Sequence, residues 1–366
     1  MKQQFAVLGN PGHQRVRMFA RAVLDLGHPH PIVLSWLDLL AGRLDLAASL
    51  PPGTWLRLDA PEGHPMVNLL LLERGGRHLR RDDLEWGELA YSRTWFSGWK
   101  DLLRELGERL AELDLAGTSH TPAGLIDWDD RALRQRQLAS ASIPQMEWWG
   151  PVLDGEHLLQ RWTNVPEGEL VLRPGARTSA AASLVLARDA EGLGATTTLE
   201  LRGTEEVPRL IGMDRVRTYR DRAEIARLVD RMAVEGAVAE IAPPKLTFQG
   251  HAVDVWVVVV RGQAQQVVLR RDKLPGQPFR LGESRADLAA FRRWVGQEQW
   301  TRYIKVAESV VAALPGIHGA GVGLGIQADN RQPWVMEVDA FGDYLPGVTL
   351  AGANTYHSFV TAYTAT

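Results

Sequence analysis

The sequence predicts an α/β (α+β) protein of two or three packed lobes, and three observations carry that expectation. A strand–helix–strand unit opens the chain, strands and helices alternate through its middle, and a β-hairpin begins its last third. At 366 residues the chain exceeds what one compact core usually serves, since domains commonly hold about 100–200 residues. Apolar residues at 45% and charged residues at 23% make an ordinary globular balance, without the signature of disorder. The formal charge of −3 argues against a nucleic-acid partner, whose phosphates select a basic surface. With no cysteine, disulfides, thiolate zinc sites and cysteine nucleophiles are all excluded. The apolar stretch Phe5 to Gly9 is too short for a signal-peptide core, and nothing approaches the roughly 20 apolar residues of a bilayer span. The expectation is a cytoplasmic protein without a membrane partner.

The elements follow in order. Phe5 to Leu8 is an apolar run closed by the turn signal Gly9-Asn10-Pro11-Gly12. Val16, Phe19, Ala20 and Val23 recur at spacings of three and four, which predicts a helix stopping at Gly27. Pro31 to Leu34 reads as the second strand of a parallel, right-handed unit. Trp55 to Leu58 and Met66 to Leu72 are further strand candidates, and Leu84 to Leu113 is long, charged and helix-periodic. Thr118 to Pro122 looks like a lobe boundary. Asp127, Asp129 and Asp130 suit a helix start before Arg131, with the helix running to about Ala141. Trp148 and Trp149 are candidates for lining a lobe interface. Glu169 to Arg173 and Ser183 to Ala187 read as a strand pair joined by the small-residue loop Pro174 to Ala182. Arg220 to Val234 is helical, with Ile225, Leu228, Val229 and Met232 on one face. Val238 to Ile241 is a strand. Ala252 to Val260 and Ala264 to Arg270, split by Arg261-Gly262, form a predicted hairpin. Leu288 to Leu314 is helical, Gly321 to Ile326 and Trp334 to Val338 are strands, and a helix near Thr355 to Tyr363 closes the chain.

The stretch with most chemistry is Trp334-Val-Met-Glu337-Val-Asp339. Alternation along a strand puts Glu337 and Asp339 on one face. Two adjacent carboxylates repel unless a cation lies between them, and such a pair suits Mg²⁺, which takes one or two carboxylates plus substrate phosphates. The bland alternative is a solvated strand edge; the apolar flanks Trp334, Val335, Met336 and Val338 speak for burial instead.

Taken with the order of its other features, the sequence resembles the ATP-grasp superfamily from about residue 5 to the end. The strand–helix–strand opening, the acidic–basic pair Asp130-Arg131 at a helix start, and Val171-Leu-Arg173 followed by small residues through Ala182 all match. So do Val238-Ala-Glu240, Asp254-Val-Trp256-Val-Val, Val267-Val-Leu-Arg270-Arg271 and Glu337-Val-Asp339. The resemblance implies an N-terminal pre-ATP-grasp lobe over 1–118, then two α+β lobes clasping the nucleotide. These are an ATP-grasp N-terminal subdomain over 119–238 and a C-terminal subdomain with the metal strand over 239–366. It implies ATP and Mg²⁺ as cofactors, and a carboxylate–amine ligase acting through an acylphosphate on an amino acid, peptide or small metabolite. Arg131, Arg173 and Ser179 would hold phosphates, with Met336 also in the nucleotide set. Glu240 would sit at the adenine–ribose end, with Asp254 a second candidate for the ribose. Glu337 and Asp339 would bind the metal. Arg270 would steady charge on the reacting carbonyl; Arg271, its neighbour, points to the opposite face, so only one of them can serve.

The chain departs from the family pattern at five positions. Arg131 and Arg173 replace lysine, Trp256 a basic residue, Asp339 an asparagine, and Gly323 an aspartate on the strand before the metal strand. These departures keep open a degenerate ATP-grasp-like nucleotide-binding or partner protein without ligase activity. A third reading, a dinucleotide-dependent oxidoreductase, rests on Gly9-Asn10-Pro11-Gly12, which lacks the third glycine of that fingerprint.

Overall fold

The structure, a computed structural model, describes residues 2–85, 87–162, 168–176, 183–189, 191–204, 208–271, 284–329, 331–342, 345 and 347–364. Among them the strands form three sheets. The first is assembled from β1 (Phe5–Gly9), α1 (Gln14–Asp25), β2 (Ile32–Ser35), α2 (Trp36–Leu40), α3 (Leu46–Ser49), β3 (Thr54–Leu58), α4 (Pro65–Arg74), α5 (Ser92–Ala111) and β4 (Leu115–Thr118). Its order is β2-β1-β3-β4 and every pairing is parallel. β1 and β3 are buried along their whole length, as expected of strands covered on both faces. The α1 stripe Val16, Phe19, Ala22 and Val23 packs against Phe5, Val7 and Trp55.

Two expectations fail in this lobe. Met66 to Leu72 is helical within α4, where His64 caps the start and Pro65 takes the first turn. A short leucine run reads equally as strand or helix, and here the cap decides. The long helix expected from Leu84 is confined to α5. Residues 87–89 instead extend the second sheet, with Leu89 N donating to Leu210 O (2.8 Å) and Gly212 N to Gly87 O (2.8 Å). α5 crosses α4 at Gly98, where a Cβ would lie 1.9 Å from Leu71 O.

The second sheet comprises α6 (Pro122–Asp129), α7 (Arg131–Ser140), β5 (Glu147–Pro151), α8 (Gly155–Trp162), β6 (Glu169–Pro174), β7 (Leu184–Asp189), β8 (Gly192–Gly203), β9 (Pro208–Tyr219), α9 (Arg222–Val234) and β10 (Ala237–Ala242). It is antiparallel, in the order β5-β10-β6-β7-β8-β9. Leu158, Leu159, Ile225, Val229 and Met232 from α8 and α9 pack against Leu170, Leu172, Leu184 and Leu186. The long β8–β9 pair is absent from the sequence reading. Its threonines, arginines and glutamates alternate with few large apolar residues.

The third sheet holds β11 (Thr247–Phe248), β12 (His251–Val260), β13 (Gln263–Arg271), β14 (Ser284–Arg285), α10 (Leu288–Val295), α11 (Gln297–Ala312), β15 (Gly319–Ile326), β16 (Pro333–Asp339) and α12 (Thr355–Ala362). Its order is β14-β13-β12-β15-β16, with β11 on β12. The β12–β13 hairpin turns at Arg261 (φ 48°) and Gly262 (φ 75°), the positive pair that a tight hairpin demands. The predicted helix over Leu288 to Leu314 is two helices, broken at Gly296 (φ 83°). Tyr356 and Val360 of α12 return to the first lobe's core. The α/β (α+β) class is as the sequence predicts, and no helix among the described residues is long and apolar enough to cross a membrane.

His120 is fully buried, edge-on to Phe341 (6.2 Å) and paired with Ile317 in an isolated bridge. Burial, with Arg57 and His318 adding to it, holds its imidazole well below the usual histidine value of 6.5 despite the Ala340 backbone. The unfolded chain therefore takes up a proton that the folded chain refuses. Stability is full above about pH 6.5 and declines as the pH falls below it. In His120→Leu that decline should flatten, which urea midpoints at about pH 7.5 and about pH 5 will read; an unchanged slope would show that other groups set it.

Candidate functional site

The crevice lies where β16 meets the second sheet. Asp130 caps α7, accepting from Leu133 N (2.9 Å), and so fixes Arg131 at the helix's first position. Arg131 Nη1 reaches Glu240 Oε2 on β10 at 3.3 Å. Gln135, one turn on, donates to Glu240 Oε1 at 2.7 Å. Both oxygens of a carboxylate that is 2% exposed are thus engaged. Arg134 donates to Trp128 O and lies over the Trp128 ring. On the neighbouring strand, Arg173 Nη1 donates to Met336 O at 2.7 Å, tying β6 to β16.

Three guanidinium groups therefore converge in the interior. Burial, and next the charge of Arg131, pushes Arg134 down to about 9, against the pull of Glu240 and Asp129. Arg173 is lowered by the same two causes, in that order, with Glu240 and Glu337 opposing. The Nε of Arg131 and of Arg173 is buried and without a hydrogen-bond partner among the described residues. Depressed basicity and orphaned donors together describe a site short of negative charge. An oligophosphate has the chemistry to fill it, through charge-assisted bonds. The apolar side is lined by Met146, Val171, Val185, Ala242, Trp334 and Met336. The space that Arg131, Glu240, Met336 and Glu337 enclose is only about 20 Å³.

Glu337 and Asp339 sit on β16 opposite Gly323 and Gly321, and both are buried. Asp339 accepts from Phe341 N at 3.0 Å. Among the described residues no group of three or more histidine, aspartate or glutamate side chains converges as a complete metal cage. Two carboxylates still fit Mg²⁺, which draws its other ligands from phosphate and water.

The remaining predicted residues are placed apart. Asp254 stands opposite Arg270 on the β12–β13 ladder, while Glu240 lies on the other sheet. Arg270 is buried, its guanidinium 4.1 Å from the Trp256 ring centroid, whereas Arg271 is exposed. Ser179 lies outside the described residues. Trp256 pairs with Gly323 across β12 and β15, and a Cβ at Gly321 would meet the indole at 2.3 Å. Sequence reasoning passed over Arg134 and Gln135. Their positions three and four residues after Arg131, on one helical face, were the available signal.

A second space of about 700 Å³ opens between α4, residues 81–90 and β8. Of its charged residues, Glu85 and Glu88 are already paired to Arg202 and Arg209, while Arg81 and Asp82 are exposed at its rim.

Removing the carboxylate at the centre of the arginine cluster leaves buried cations uncompensated. Glu240→Ala should lower stability by about 3–5 kcal/mol, read as a fall in the urea midpoint. A loss within about 0.5 kcal/mol would mean the cluster is solvated and the crevice open.

No protein-family model and no curated sequence matches the chain. Solved structures do. The D-cycloserine synthetase DcsG aligns with a TM-score of 0.56 at 13% identity, over 98% of this chain and 97% of that one. The ATP-grasp ligase PsnB, solved with a phosphomimetic variant of its minimal precursor, Mg and ADP, gives 0.55 at 12%, over 100% and 99%. The D-alanine–D-alanine ligase of Bacillus anthracis gives 0.51 at 10%, over 100% and 97%. The likeness runs the full length of each, and what it establishes is the architecture: this chain has the ATP-grasp fold.

Proposed function

We propose that the chain is an ATP- and Mg²⁺-dependent ligase that joins a carboxylate to an amine through an acylphosphate. The observation that carries this reading is the crevice, in which anion-seeking arginines from α7 and β6 face the paired carboxylates of β16. The substrates would be an amino acid, peptide or small metabolite, the range spanned by structures of this fold solved with a precursor peptide or catalysing D-alanine ligation. ADP with Mg, or ATP, accompanies related structures, which supports the same pair here.

Phosphoryl transfer is mostly positioning and charge neutralisation. Arg131 and Arg173 would turn from Glu240 and Met336 O to the phosphates, since the present space holds about 20 Å³ and admits no nucleotide until the sheets part. Mg²⁺ held by Glu337 and Asp339 would neutralise charge on the phosphoryl oxygens. Arg270, its guanidinium stacked on Trp256, would donate to the carbonyl oxygen as charge develops there. The exposed Arg271 takes no part. The lobes would divide at 118 and 238, with the first lobe presenting substrate.

A second reading, nucleotide binding without ligation, is favoured by one specific observation. Trp256 and Gly323 are cross-strand partners, so the basic and acidic positions that this chain lacks face each other. The crevice is then missing a cation and a carboxylate together.

Calorimetric titration with AMP-PNP decides between them. The ligase reading expects binding strengthened about tenfold or more by Mg²⁺, with that gain lost in Glu337→Ala. Binding indifferent to Mg²⁺ selects the second reading, and no binding at all removes both. Once a substrate pair is found, Arg270→Ala should lower kcat by about 10²–10³; unchanged turnover removes that assignment.

A further inference from the structure

The parallel order β2-β1-β3-β4 has a topological switch point, because the chain leaves β1 toward one edge and later returns past it to β3. Ligands in open parallel sheets bind outside the carboxyl ends of the strands at such a point. Here the carboxyl ends of β1 and β3 carry Asn10 and Asp59. Asn10 Nδ2 pins the β1–α1 turn to Pro61 O (2.8 Å) and Glu62 O (3.0 Å). The first turn of α1, which follows, carries Arg15.

Arg15 differs from the other arginine at this point. Arg57, fully buried on β3, is held by Asp59 Oδ1 (3.2 Å), by Phe341 O (3.1 Å) and by the rings of Phe19, Tyr356 and Phe359. Arg57 is thus anchored within the fold through Nη2 and its ring contacts, although its Nε and Nη1 have no hydrogen-bond partner among the described residues. The side chain of Arg15 makes no hydrogen bond and no ion pair within 4.0 Å among the described residues, and its Nε is buried. It nonetheless lies in the field of the Asp339 and Asp59 carboxylates, which keeps it charged against the cost of burial. Asp59 is already bonded to Arg57, and Asp339 to Phe341 N. A charged, half-buried side chain whose Nε is sealed from water without a bond carries a cost that an anion on its guanidinium would relieve.

We propose that Arg15 is a specificity-determining residue that binds a carboxylate of the acyl substrate between the first sheet's switch point and the end of β16. The proposal rests on the ligase reading for what the substrate is, but not for whether Arg15 binds an anion. The α1 N-terminus adds a favourable field for the same charge. The substrate is thereby an acid presented by the first lobe beside Asp339, on the strand that would hold the metal.

The test is calorimetric titration of the whole chain, with and without AMP-PNP and Mg²⁺, with acids and their primary amides: alanine and alaninamide, glutamate and glutamine, succinate and succinamate. The proposal expects at least one acid to bind about tenfold or more tighter than its amide, as a charge-assisted pair would give. That preference should vanish in Arg15→Met, be partly kept in Arg15→Lys, and persist in Arg17→Met, which removes an exposed neighbouring cation. AMP-PNP and ADP affinities should be alike in wild type and Arg15→Met. No acid preference in the wild type, or a preference that survives Arg15→Met, overturns the proposal. So does a loss confined to AMP-PNP with ADP spared, since Arg15 would then read the terminal phosphate. If AMP-PNP fails to bind the wild type while the acid preference holds, the ligase reading falls and the Arg15 site stands.

Discussion

The crevice depends on β16, a strand of the third sheet that hydrogen bonds tie to Arg173 of β6 and to Pro144. β16 takes its ladder from β15, but the register slips between Gly323 and Leu324: Gly323 faces Glu337 and Leu324 faces Val335. Met336 is skipped, as in a β-bulge. Arg173 takes the Met336 carbonyl at 2.7 Å, and Val335 N is bound by Pro144 O at 2.8 Å. One extra residue thus carries the carboxylate strand across to the arginines.

That same bond explains why the crevice is closed. Arg173 and Arg131 take their acceptors from the fold, Met336 O and the Glu240 carboxylate. Neither satisfies the cluster, since Arg131 and Arg173 each retain an orphaned Nε and Arg134 is pushed down to about 9. Closure is a compromise among three like charges with few acceptors, which makes opening toward a polyanion less costly than parting a complete set of bonds. A phosphate would improve the electrostatics of every arginine in the group.

Much of this was legible beforehand, for reasons that differ by element. The β1–α1–β2 unit and the β12–β13 hairpin announce themselves through clear periodicity and unambiguous turns. The order of short charged motifs pointed to the fold, although each motif alone was weak. Met66 to Leu72 misled because a run of leucines has no period that separates strand from helix. The β8–β9 pair stayed hidden because it buries few large side chains. At the site, alternation correctly put Glu337 and Asp339 on one face, since both follow the bulge. Gln135 and Arg134 were missed because a charged helical face normally means solvent; burial against β10 and β16 reverses that meaning. Arg15 was illegible for a related reason. An arginine in a first helical turn is unremarked until its surroundings are seen to leave it unbonded.

Trp256 and Gly323 appear in sequence as two unrelated departures, far apart along the chain. In the fold they are one change. Their strands pair directly, and the indole lies over β15 where Cβ atoms at Gly321 and Gly323 would meet it at 2.3 and 3.3 Å. The tryptophan also gives Arg270 a flat face at 4.1 Å. The two departures therefore set an indole against glycines where the resemblance implies a charged pair, with the Arg270 guanidinium over the same ring.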